Sequence, residues 1–389
     1  MSNTCDVIVV GAGISGVAVA YYLKKAGVGR VTILERNDAG SGGTGKSAAI
    51  VRQHYSTDLM AKIALESVEI FSSLKAELEF DVGYAAAGYL FLVPRDGADV
   101  AKKCMEMQRQ VGVDTQWIET VELASRYSWL NTEELVGGVY EPRGGFADPI
   151  RSVEGYLKNF EKLGGVYSRR TACRALLRDG AKVTGVLTDA GPIQAGAVVN
   201  AAGPWAASLA ASAGLPLKMR TVREQDTVWE ARSGRPLPEM SVSAGFDAIY
   251  VRPLGQCRFV VGRGFPKPYE DVDPNNFKES ADAEFIDDIS MRFQHRFPPM
   301  AGARLVDSYA SLYDVTPDWY PYIGPRANVP GYFDFSGGSG HGFKIAPALA
   351  KRLAQAIASG RADGELMRLS YDRVGSDRLF QQAYGGNRG

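Results

Sequence analysis

Hydrophobic positions along the chain gather in short runs punctuated by glycine, and the first run carries the most structure. Val7-Ile8-Val9-Val10 is unbroken and mostly β-branched, the pattern of a parallel strand buried on both faces. Gly11-Ala12-Gly13-Ile14-Ser15-Gly16 follows at once, and residues 17–27 read as a helix closed by Gly27. Val31 to Leu34 is a second apolar strand and ends at Glu35. The pattern predicts a strand–helix–strand unit whose three glycines lie where the first strand turns into the helix.

Downstream, Met60, Ile63, Ala64, Val68, Phe71 and Leu74 keep the spacing of one helix face over 60–78, with Thr57 or Asp58 as cap. Val153, Tyr156, Leu157 and Phe160 do the same over 153–163, ahead of Gly164-Gly165. Strand-like runs lie at 88–93 and 136–140. Residues 217–312 alternate strand-like stretches (227–229, 249–251, 258–261) with turns, and hold a helix near 282–297. Two more glycine-rich turns each follow an apolar run and precede a helix. One is Gly203, between 197–199 and 206–213; the other is Gly337 to Gly342, between 332–335 and 346–357.

The first turn has the chemistry of a dinucleotide site. One glycine makes the tight turn, another lets backbone touch a pyrophosphate, and the third lets helix and strand pack closely. The helix N-terminus then offers unsatisfied N–H groups to the diphosphate. Glu35 lies 19 residues past Gly16, where a carboxylate accepts from a ribose hydroxyl. An acid there disfavours a 2′-phosphate, which leaves FAD or NAD. Three separate turns suit one long cofactor lying across a sheet, whereas a nicotinamide enzyme usually keeps its contacts in one contiguous domain.

Composition narrows the class. The 389 residues suggest two or three domains, or two that interleave. Forty-four basic and 44 acidic side chains give zero net charge, which argues against a nucleic-acid binder and against a polybasic membrane anchor. Glycine, at 44 residues, exceeds the usual share without periodicity, so it serves turns and close backbone approaches. Cys5, Cys104, Cys173 and Cys257 are scattered, as are His54, His295 and His341, so neither a zinc site nor a disulfide framework is expected. Glycines and basic residues interrupt the apolar stretch 7–34, so no membrane span is expected there, and no secretory signal opens the chain. A cytoplasmic protein is the expectation.

Four segments resemble the FAD-dependent amine-oxidising family that includes D-amino acid oxidase, glycine oxidase and sarcosine oxidase. They are the fingerprint from Gly11 to Glu35, the small-residue loop 41–52, the segment 198–205 around Gly203, and the C-terminal stretch from Tyr313-Asp314-Val315-Thr316-Pro317-Asp318 to Lys344. The resemblance implies an α/β fold in which an FAD-binding Rossmann-like βαβ domain is interleaved with an antiparallel β-rich substrate domain. The expected boundaries are 1–82, 146–216 and 313–389 for FAD, and 83–145 and 217–312 for substrate. It places the cofactor against Gly11, Gly13, Ile14, Ser15, Gly16, Glu35 and Arg36; against Gly43, Thr44, Ser47 and Ala48; against Ala202, Gly203 and Trp205; and against Gly338, Gly340, His341, Gly342, Phe343 and Lys344.

Oxidation of an amine by flavin asks chiefly for positioning, and a substrate carboxylate is best gripped by Arg or Lys. Arg52, closing an apolar loop, and Lys344, beside the last glycine turn, are the expected grip for a small anionic amine. His341 is a candidate donor to the reduced ring, Tyr250 a candidate substrate hydroxyl, and His54 and Tyr55 candidate pocket residues. Three positions depart from sarcosine oxidase. Ser311 stands where that enzyme attaches its flavin through cysteine, so the FAD is expected to be non-covalent. Val260 stands in place of the lysine that promotes oxygen reduction, which favours another electron acceptor, although Arg258 or Arg263 could substitute. Gly264 replaces a histidine that helps hold sarcosine, which points to a different or larger substrate.

The expected reaction is oxidation of an amino acid or N-alkylamino acid to an imine, with oxygen or another acceptor. Oxidation of a 2-hydroxy acid, with His341 or His54 as base, and service as the flavin subunit of a larger dehydrogenase complex are the alternatives. The oligomeric state is left open.

Overall fold

The computed structural model describes residues 4–376, 378–381 and 383; residues 1–3, 377, 382 and 384–389, all within the segments expected to bind cofactor, lie outside these. The first sheet is built on Thr4–Val10, flanked in parallel by Val31–Leu34 on one side and Gly191–Asn200 on the other. Val166–Ser168 and Tyr332–Ser336 continue the parallel run outward, and Tyr322–Pro325 adds an antiparallel edge. Val7 and Val9 enter one core while Ile8 and Val10 enter the opposite one. Burial on both faces explains why the run is apolar at every position. Helices Ile14–Lys25, Pro149–Lys162 and Gly342–Ser359 cover the Val7/Val9 face.

The second sheet is antiparallel except where Ser241–Ala244 runs parallel to Tyr89–Pro94. Its long members are Arg220–Glu230 and Arg304–Val315, paired along their length, with Arg258–Arg263 and Ile249–Gly255 beside them. Helix Ala283–Arg296 packs Ile289 and Phe293 against Trp229, Phe259 and Val261 on one face of this sheet. The other face turns Asp226 and Tyr250 toward the first sheet, across a cavity. The mixed α/β architecture expected from the chain is the one observed.

Local signals placed most elements to within a few residues. The helix expected over 60–78 runs Asp58–Glu77, and that over 153–163 runs Pro149–Lys162. The latter begins earlier because the Asp148 carboxylate accepts from Arg151 N at 2.9 Å and proline fills the first helical position. Helices Ala98–Gln110 and Thr120–Arg126 and the hairpin Cys173–Asp179/Lys182–Thr188 were not anticipated. Among the described residues no helix is long and apolar enough to cross a membrane.

Candidate active site

A cavity of about 850 Å³ runs between the two sheets. At one end lies the first strand-to-helix turn. Gly11 sits at φ +104°, and a Cβ there would stand 2.4 Å from the Ala201 carbonyl oxygen. A Cβ on Gly16 would stand 1.9 Å from the Gly11 carbonyl oxygen, so this glycine serves helix–strand packing and does not line the cavity. Gly13, Ile14 and Ser15 do line it, and Ile14 N donates to Thr44 Oγ1 at 3.1 Å. The N-cap residue is Gly13, which has no side chain to cap the helix, and residues 13–15 bring the positive end of the helix to the cavity.

Glu35 closes this end. Its carboxylate accepts from Ala12 N at 2.9 Å and from Asn37 N at 2.8 Å, which fixes it at the tip of the second strand. Arg36 lies 3.7 Å over the Trp205 ring, and Trp205 Nε1 donates to Asn275 Oδ1 at 2.8 Å. Asn275 belongs to the 273–279 loop of the second sheet, which sequence reasoning passed over. Glu279 of that loop also lines the cavity and pairs with Lys46 at 2.7 Å. Gly43, Thr44, Ser47, Ala48, Ala202, Gly203 and Trp205 all line the cavity.

At the other end, the turn before helix Gly342–Ser359 is held by Asp314. Its Oδ2 accepts from Gly337 N at 2.7 Å and its carbonyl from Ser339 N at 3.0 Å. Gly340 sits at φ +81°, with space for a Cβ taken by the Tyr313 ring at 2.3 Å. Gly338, Gly340, Gly342, Phe343 and Lys344 face the cavity. A bare-glycine approach at one end, an uncapped helix start, a fixed carboxylate and a second glycine turn far along the same cavity fit an extended dinucleotide.

The candidate chemical groups gather at this second end. Arg52 is buried, donates through Nη1 to the His54 carbonyl, and lies 4.9 Å from the Tyr55 ring centroid and 5.9 Å from that of Tyr89. Lys344 is also buried, and its Nζ has no hydrogen-bond partner among the described residues. Burial, and then the Arg52 charge, hold the Lys344 ammonium well below the usual lysine range. Such a pair of cations is relieved by an anionic ligand.

His341 is set apart from the cavity. Its Nε2 donates to the Trp319 carbonyl at 2.7 Å, which leaves Nδ1 to accept from the Tyr55 hydroxyl at 3.1 Å. Burial, Lys344 and Arg52 keep the ring neutral. The histidine braces the start of the Lys344 helix, and both of its nitrogens are committed. His54 does line the cavity, its ring tilted 32° against Phe91 at 4.7 Å between centroids, and burial and Arg52 push its pKa down to about 3.

Tyr250 lines the cavity and donates to Asp226 Oδ1 at 2.6 Å. Asp226 and the buried Glu141 were both missed, because an acid inside an apolar strand carries no local mark of what it faces. Ser311 and Gly264 line the cavity, whereas Val260 is buried away from it. Arg258 and Arg263 are paired with Glu230 and Asp288 and do not reach it.

Known proteins share this fold. L-proline dehydrogenase from P. horikoshii superposes with a TM-score of 0.88 at 26% identity, covering 96% of this chain and 98% of that one. Glycine oxidase from Geobacillus kaustophilus shares the fold with a TM-score of 0.83 at 24% identity over 94% of this chain and 98% of its own. In sequence, 4-methylaminobutanoate oxidase (formaldehyde-forming) of Paenarthrobacter nicotinovorans is 28% identical over 91% of this chain, which spans only 43% of that relative's length. Sarcosine oxidase subunit beta of Rhodobacter capsulatus is 26% identical over 91% of this chain and 85% of its own length. The pattern described as DAO, FAD-dependent oxidoreductase, matches residues 6–356: the chain belongs to that family, and FAD is its cofactor.

Proposed function

We propose that the protein oxidises the C–N bond of an amino acid or N-alkylamino acid to an imine, which water then hydrolyses. The observation that carries this reading is the pair of buried cations, Arg52 and Lys344, at the cavity end beside the Gly337 to Gly342 turn. Together they bind one carboxylate, Arg52 through its planar fork and Lys344 as a point charge. Bound FAD supplies the hydride acceptor. The protein's part is to fix the carboxylate, so that the adjacent carbon is presented in one orientation, and to exclude water around the reacting bond. The segments 1–82, 146–216 and 313–389 serve the cofactor, and 83–145 and 217–312 roof the substrate.

Several further features belong to the same reading. Cys173 is the one cysteine on the cavity among the described residues, and it lies near Glu35 at the far end, so the FAD is held without a covalent bond. Neither histidine serves as the base that a 2-hydroxy acid requires, since His341 is committed and His54 is a very weak base. With Arg258 and Arg263 paired away from the cavity, an acceptor other than oxygen is favoured. Four cysteines without a disulfide suit a reducing, cytoplasmic setting.

Anaerobic bleaching of the purified flavoprotein by a panel of N-methyl, cyclic and D-amino acids, beside a panel of 2-hydroxy acids, tests the reading. Bleaching by an amino acid supports it, and a flavin that no amine bleaches overturns it. Dye-linked turnover well above turnover with oxygen identifies the acceptor class. The likeness to a sarcosine oxidase subunit favours one second reading, service as the flavin subunit of a larger assembly. Full activity of the lone chain counts against that.

A further inference from the structure

Three strands of the cavity roof put Asp226, Gly262 and Tyr250 side by side: Asp226 pairs with Gly262, and Gly262 pairs with Tyr250. With no side chain on Gly262, the Tyr250 hydroxyl reaches across it to Asp226 Oδ1. Asp226 is only 4% exposed, yet it lines the cavity, and its Oδ2 has no hydrogen-bond partner among the described residues. The pair belongs to the substrate end. Tyr250 and Tyr313 both line the cavity, and the Tyr313 ring occupies the space beside Gly340 in the turn that leads to Lys344. The cavity that holds two cations therefore also holds an acid with one open oxygen.

An amino acid brings the complementary pair of charges, a carboxylate and an ammonium. Its nitrogen must be neutral before hydride leaves the adjacent carbon, because the lone pair assists that departure. A buried carboxylate oxygen without a donor is costly unless a ligand supplies one.

We propose that Asp226 is the proton acceptor for the substrate's amine: its open Oδ2 takes a hydrogen bond, and then the proton, from the nitrogen of an amino acid whose carboxylate rests on Arg52 and Lys344. The inference rests on the amino-acid reading above and names the residue that makes the nitrogen reactive. In this step an N–H bond of the ammonium breaks, its electron pair stays on nitrogen, and an O–H bond forms at Oδ2. The products are a neutral amine and a neutral carboxylic acid. Burial pushes the Asp226 carboxyl up to about 7, against the Tyr250 hydrogen bond and the Lys267 charge, with Glu224 adding to the rise. Tyr309 and Tyr313 are the other titratable groups near it, and burial keeps both as phenols. An acceptor poised near neutrality suits proton transfer at physiological pH.

The FAD-loaded enzyme carrying Asp226→Asn tests the role by two measurements. Anaerobic flavin reduction by a subsaturating amino acid is expected to fall roughly 100-fold. Binding of the matching carboxylic acid without the nitrogen, read by flavin absorbance, is expected to be unchanged. In the wild type, reduction by subsaturating substrate rises with pH through a limb that Asp226→Asn lacks. Tyr250→Phe, which removes the bond favouring the carboxylate, is expected to move that limb to higher pH. Wild-type reduction by Asp226→Asn, with the limb in place, overturns the role of Asp226 and leaves the amino-acid reading standing. A wild-type flavin that no amino acid reduces overturns both. Should Asp226→Asn fail to retain FAD, an unmoved limb in Tyr250→Phe overturns the proposal.

Discussion

The Tyr250 hydroxyl meets the Asp226 carboxylate at 2.6 Å across a residue that has no side chain, Gly262. A Cβ at position 262 would stand 2.3 Å from both the Tyr250 oxygen and Asp226 Oδ1. Gly262→Ala is therefore expected to force the two apart and to act as an overpacking substitution, costing about 1–3 kcal/mol. Urea unfolding is the check: the midpoint should fall while the slope stays constant.

Lys344 is kept charged only at a cost, because it is buried and faces Arg52 without a partner among the described residues. Lys344→Met keeps much of the bulk and removes the charge. The apoprotein is expected to melt at a higher temperature than wild type, as sites that bind charge are strained when empty. For an amino-acid substrate KM is expected to rise about 10- to 100-fold, the worth of a charge-assisted hydrogen bond. Paired melting and steady-state measurements check both; a lower melting temperature with unchanged KM would place Lys344 in packing instead.

The cofactor end was largely legible in the chain and the substrate end only in part, for a physical reason. Strand Thr4–Val10, the three glycines and helix Ile14–Lys25 are contiguous, and Gly16 is required by Gly11 within the turn itself, whereas Gly11 answers to Ala201 after strand Gly191–Asn200 and Gly13 to Thr44. Helix Ala98–Gln110 has a buried face at helical spacing, Ala101, Cys104, Met105 and Gln108, but a stripe of small and polar side chains stands out little in the chain. Asp226 was invisible because its meaning comes from register. Only the pairing of three strands brings 226, 262 and 250 together, and no local pattern encodes it. The glycines around His341 point to a place on the cavity, whereas its ring does not line it and bonds to Trp319 and Tyr55.

The glycines of the first turn are expected to divide by role. Gly11→Ala combines φ +104° with a 2.4 Å clash against the Ala201 carbonyl, so the protein is expected to lose its fold. Gly13 has an ordinary φ of −72°, and a Cβ there meets only Thr44 Oγ1, at 3.0 Å. Gly13→Ala should fold, with FAD affinity reduced about tenfold or more by the blocked backbone approach. Circular dichroism and fluorescence of released FAD separate the two outcomes; equal FAD affinity in Gly13→Ala would move the pyrophosphate elsewhere.

His54 and Glu141 lie 3.9 Å apart in the buried region beside Arg52, in the geometry of an ion pair, yet burial favours the neutral form of both. Burial pushes Glu141 up to about 7, and burial with Arg52 pushes His54 down to about 3. Between about pH 5 and 6 the folded pair is therefore neutral, whereas in the unfolded chain the histidine is protonated and the glutamate ionised. The signs of the two contributions are opposite. His54 binds a proton only in the unfolded chain across this window, so it makes stability fall as the pH drops. Glu141 binds one only in the fold, so it makes stability rise as the pH drops. Removing either should change the slope of stability against pH by up to about 1.4 kcal/mol per pH unit. His54→Gln is expected to make the protein comparatively more stable toward pH 5, and Glu141→Gln comparatively less. Denaturant titrations of the wild type and both variants at pH 5, 5.5 and 6 read the slopes directly. Slopes left at the wild-type value in both variants, or shifted with the two signs exchanged, would overturn the neutral pair.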